Sequence, residues 1–88
     1  MSDANYEAAI ANSVVALVRY DMGNRAMSDE EAFKAVYRSE LYRLLINPAT
    51  RLCLDSDDEL ARLYDIELNC GVDALRKELM KRVEAVIG

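Results

Sequence analysis

The side chains that most often do chemistry are few in this sequence. Histidine is absent, which removes the commonest general base and the commonest metal ligand. It also excludes histidine-containing zinc sites and Ser-His or Cys-His nucleophile pairs. Two cysteines, Cys53 and Cys70, form no CxxC pair and are too few for a disulfide scaffold. Both read as small buried hydrophobes of a reduced, cytoplasmic protein. Asp55, Asp57, Asp58 and Glu59 are the densest acidic cluster. A calcium loop starting at Asp55 would need glycine and glutamate where Leu60 and Ile66 stand. The cluster therefore reads as the acidic first turn of a helix, and no cofactor or metal is expected. No glycine-rich phosphate loop, GxSxG elbow or HExxH motif occurs.

The net charge is −5 over 88 residues, which lowers the expectation of nucleic-acid binding. Arg76, Lys77, Lys81 and Arg82 are the one basic cluster and define a candidate basic face. A DNA-binding regulator using that face is the alternative functional reading. A helix-turn-helix over the middle of the chain is a poor fit, because Glu40, Tyr42 and Arg43 before Pro48 make a weak groove reader. A carboxylate enzyme would need two close acids with separated pKa values, and no spacing suggests them. Five of the six aromatics are tyrosines, a residue suited to interfaces through its area and polar tip.

Hydrophobic residues make up 52% of the chain, so a packed core is expected. The spacing predicts an all-α fold, a compact orthogonal bundle of about five short helices in one domain over residues 1–88. The first helix runs from about Asp3 to Met22, with Gly23 as its C′ residue. Tyr6, Ile10, Val14, Leu17 and Val18 fall on one side of it, and Val15 and Met22 widen that side. Only a stripe around Asn5, Asn12 and Arg19 is polar. So wide an apolar circumference suits a helix that is central or covered by another chain. The second helix opens with a Ser28–Glu31 capping box and carries a stripe of Ala32, Phe33, Val36 and Tyr37. A restart at Ser39 gives a short third helix from Glu40 to Ile46, ended by Pro48.

Residues 49–55 read as a loop pinning Leu52 and Leu54, or as a short strand. The fourth helix starts at a Ser56–Glu59 capping box, turns Leu60, Leu63, Tyr64 and Leu68 inward, and ends at Gly71. The fifth begins near Asp73 as N-cap, with a stripe of Leu75, Leu79, Val83 and Val86 widened by Met80 and Ile87. No segment is apolar enough to span a membrane.

The stretches Ser28-Asp-Glu-Glu-Ala-Phe33, Tyr37-Arg-Ser-Glu-Leu-Tyr42-Arg-Leu-Leu45, Thr50-Arg-Leu52 and Ser56 resemble a group of small helical bacterial proteins of unknown function. Some similar proteins are encoded beside toxin-like genes. The resemblance covers roughly Ser13 to Leu68 and implies a bacterial, cytoplasmic antitoxin or adaptor whose partner matters. It brings no catalytic residue. Together these readings lead to a non-enzymatic protein-interaction module that binds itself or another protein. The candidate interface is Ile10, Val14, Val15, Val18, Met22 and Tyr42.

Overall fold

The computed structural model describes the backbone of residues 3–87 and the side chains of residues 6–47 and 49–81. It is an all-α bundle, and no strand occurs among the described residues. Five α-helices follow one another: α1 (Asp3–Asn24), α2 (Asp29–Arg38), α3 (Glu40–Leu45), α4 (Asp57–Cys70) and α5 (Val72–Ile87). Two 3₁₀ turns, Pro48–Thr50 and Leu52–Leu54, join α3 to α4. The molecule is flat, measuring 41 × 34 × 19 Å. α1 packs on α2 at one flank and on α4 at the other, and α4 carries α5.

Local chemistry sets the boundaries. Ser28 Oγ accepts the Glu31 amide at 3.2 Å, and the Glu31 carboxylate accepts the Ser28 amide at 3.5 Å, closing the expected capping box. Ser39 separates α2 from α3 as expected. Its extended backbone breaks the helix, and its Oγ accepts the Tyr42 amide at 3.1 Å while donating to the Val36 carbonyl at 2.6 Å. Ser56 Oγ likewise accepts the Glu59 amide at 3.2 Å.

Two boundaries and one connecting segment differ from expectation. α1 runs on through Gly23 to Asn24, and the left-handed residue after it is Ala26, with φ 53°. α5 starts one residue early at Val72, so Asp73 sits in its first turn and not at its N-cap. Gly71 alone joins α4 to α5 at φ 95°, a conformation in which a side chain would be strained. Residues 49–55 are neither strand nor open loop. Arg51, left-handed at φ 55°, separates the two 3₁₀ turns. The second turn buries Leu52 and Cys53, and Leu54 faces outward.

The core draws on every α-helix: Val14, Leu17 and Val18 from α1, Ala32 and Val36 from α2, Leu41 and Leu45 from α3. Leu60, Leu63 and Tyr64 from α4 and Leu75 from α5 complete it with Leu52 and Cys53. Leu68, Cys70 and Met80, expected inside, are exposed. One buried acid, Asp21, and one half-buried acid, Glu67, were not foreseen. Asp21 is fully buried on α1, where it accepts the Tyr64 phenol at 2.6 Å and faces Arg25 at 3.4 Å. Glu67 on α4 caps α3 from outside, its two oxygens accepting the Glu40 and Leu41 amides at 2.8 and 2.9 Å.

Candidate functional site

An open apolar groove of about 330 Å³ runs between α1, α2 and α3. Ile10, Ala11, Val14 and Val15 line it from α1, Phe33 and Tyr37 from α2, and Tyr42 from α3. Glu7 contributes its one charged liner. The rings form a continuous wall. Phe33 stacks on Tyr37 with centroids 6.1 Å apart, and Tyr37 meets Tyr42 edge to face at 4.8 Å.

The helical period explains why these rings stand outside. α2 turns Ala32 and Val36 into the core, and each ring follows one of them by 100° of rotation. Phe33 and Tyr37, expected in the buried stripe, are therefore 37% and 51% exposed. They are four residues apart and share one side of the helix. Two large aromatics held together at the surface of so small a domain form an unusual patch.

Four of the six expected interface residues meet in this groove: Ile10, Val14, Val15 and Tyr42. Val15 is 39% exposed. Val14 and Val18 need correction as contact residues, because both are buried in the chain's own core, Val14 as the groove floor. Their phase is that of Leu17, which α2 and α4 cover from both flanks. Met22 is exposed but does not line the groove. Phe33 and Tyr37 were missed as surface residues. The signal was present in sequence, since small Ala32 and Val36 can approach a neighbouring helix more closely than their aromatic neighbours.

The expected basic face is also corrected. Arg76 donates to Glu40 on α3 at 2.9 Å, and Lys81 lies 3.8 Å from Glu78. Glu40 raises the Arg76 pKa through that hydrogen bond. Lys77 is exposed, and the Arg82 side chain lies outside the described residues. Acids thus interrupt the cations. Glu40 arrives from another helix, whereas Glu78 is a neighbour of Lys81 on α5 itself.

Two further depressions flank α4. One, of about 760 Å³, has Asn12, Arg19 and Tyr20 facing exposed Asp57 and Asp58. The other, of about 340 Å³, lies beside Tyr20, Arg25 and Asp65. The nearby Asp65 carboxylate raises the Tyr20 phenol above its ordinary pKa. Among the described residues no group of three or more cysteines and carboxylates is placed to hold a metal ion. No described helix is long and apolar enough to cross a membrane. Comparison with protein-family models, curated proteins and solved structures finds no match to this chain.

Proposed function

We propose that this chain is a non-enzymatic protein-interaction module whose docking face is the α1/α2/α3 groove. The observation that carries the reading is the exposed ring wall of Phe33, Tyr37 and Tyr42 over the apolar α1 residues Ile10 and Val15. A helix laid in such a groove would bury these rings and insert side chains at i and i+3 or i+4. Aromatic anchors in a pocket dominate interface energies, so a small groove supports specific binding. An adaptor or antitoxin-like role in a reduced cytoplasm fits this face and the two free thiols. The DNA-binding alternative draws less support, because Glu40 and Glu78 hold two of its cations.

Affinity capture from the native cell tests the reading when wild type is compared with Tyr37→Ser and Leu54→Ser. Both substitutions remove an exposed apolar side chain, but only Tyr37 lines the groove. Loss of the same co-purifying protein with Tyr37→Ser alone is the expected result. Equal capture by all three chains would discard the groove as the docking face.

A further inference from the structure

We infer that the groove of one copy takes α5 of a second copy, so that the chain assembles head to tail. The inference rests on reading the groove as a docking face and names its occupant. The groove is apolar with a carboxylate in its lining, Glu7. A second acid, Asp29, lies one turn before Phe33 on the same side of α2 and is exposed. A matching occupant is a helix with an apolar knob flanked by cations.

The outer face of α5 carries an apolar knob, Met80, beside one cation unpaired among the described residues, Lys77, with Asp73 on the same side. Met80 is 58% exposed, making it the most exposed large hydrophobe on any α-helix among the described residues. Lys77 precedes it by one turn, Lys81 follows it directly but lies 3.8 Å from Glu78, and Arg76, one turn before on the same side, is held by Glu40. Lys77 forms no ion pair among the described residues. Methionine is flexible and polarizable, which suits a knob seated among aromatic rings. The helix anchors to α4 by buried Leu75 and half-buried Leu79, leaving this face uncovered.

Knob and groove do not meet within one chain, since α5 packs on α4 and the groove lies across α1, α2 and α3. Each copy can therefore offer its α5 to one neighbour and its groove to another. Such a contact is heterologous and continues into a ring or an open chain. The overall charge of −5 opposes association, whereas pairing of Lys77 on α5 with Glu7 and Asp29 favours this one orientation.

Sedimentation velocity on the full chain tests this with two variants. Ala11→Arg places bulk and positive charge on the exposed groove wall and keeps a good helix former. Met80→Ser removes the knob. Wild type is expected to sediment faster as concentration rises, with the effect weakened by added salt, and each variant alone to remain monomeric. An equimolar mixture of the two retains one intact contact and is expected to stop at a dimer. That mixed dimer also shows that both variants are folded.

A wild type that stays monomeric to its solubility limit overturns the inference, while groove-dependent capture of another protein would still stand. Assembly that survives Met80→Ser or Ala11→Arg overturns it as well. Assembly lost in both variants but not restored by mixing excludes the head-to-tail contact.

Discussion

Tyr64 on α4 donates a 2.6 Å hydrogen bond to Asp21 Oδ2 on α1, with both residues fully buried. A buried carboxylate is costly unless its oxygens are bonded. Here Tyr64 bonds one oxygen and Arg25, itself half in solvent, approaches the other at 3.4 Å. Tyr20 packs its ring edge on Tyr64 with centroids 6.2 Å apart and closes the site from the side. The pair ties the central helix to α4 at one defined register.

Removing the donor should therefore cost more than an average core change of the same size. Tyr64→Phe keeps the ring and leaves an Asp21 oxygen unsatisfied, at an expected cost of about 1–3 kcal/mol. Urea unfolding followed by circular dichroism measures it. A midpoint equal to that of wild type would show that the bond contributes nothing net.

The same pair makes stability fall in alkali. Burial, and then the hydrogen bond to Asp21, push the Tyr64 phenol above its ordinary pKa of 10.0. The nearby Asp65 carboxylate pushes Tyr20 in the same direction. Between the unfolded and the folded pKa the unfolded chain releases these protons and the native one retains them. Stability is thus fully present below pH ~10 and declines as pH rises beyond it. Thermal melts across that range should fall less steeply for Tyr64→Phe than for wild type, and parallel curves would contradict the assignment.

Glu67 holds the start of α3, a helix of only six residues, by accepting two of its first amides. Glu67→Ala removes that external cap, with a loss expected at about 0.5–2 kcal/mol as for other helix caps. Faster hydrogen exchange at the Glu40 and Leu41 amides is the local signature. Unchanged protection there would mean that Ser39 caps α3 sufficiently by itself.

Groove and core substitutions should separate binding from stability. Leu63→Ala empties a fully buried site and should cost about 2–5 kcal/mol. Tyr37→Ser removes a half-exposed ring and should stay within about 1 kcal/mol of wild type. Equal destabilisation by the two would place Tyr37 in the core after all.

The two thiols should differ in reactivity. Cys70 is exposed at the end of α4 and Cys53 is buried in the second 3₁₀ turn. A maleimide reagent should modify Cys70 in the native protein and reach Cys53 only on unfolding. Mass spectrometry of the native reaction decides it, and rapid double labelling would contradict the burial of Cys53.

Much of the helix layout was legible before any coordinates. Ser28, Ser39 and Ser56 announce three helix starts because capping is a contact between residues three apart in the chain. The apolar periods of α1 and α4 show their inner faces for the same local reason. Even buried Asp21 was hinted at, since it shares the phase of Ile10, Val14 and Leu17 on α1. The period says which way a residue points, and cannot say that Tyr64 waits there as a donor.

Sequence alone therefore determined what depends on neighbours along the chain: helical class, most boundaries, three serine N-caps and the absence of histidine chemistry. Tertiary structure decided what depends on which helix lies beside which. It buried Val14 and Val18 and left Phe33 and Tyr37 at the surface, although these two rings share one arc of α2 with buried Ala32 and Val36. It set Glu40 against Arg76, adding an acid from another helix to Glu78, which already lies among these cations in the sequence. The physical reason is that a helix face has no buried or exposed state of its own. α2 turns Ala32 and Val36 inward where it packs on α1, and the rings one step further round the helix stay outside to line the groove.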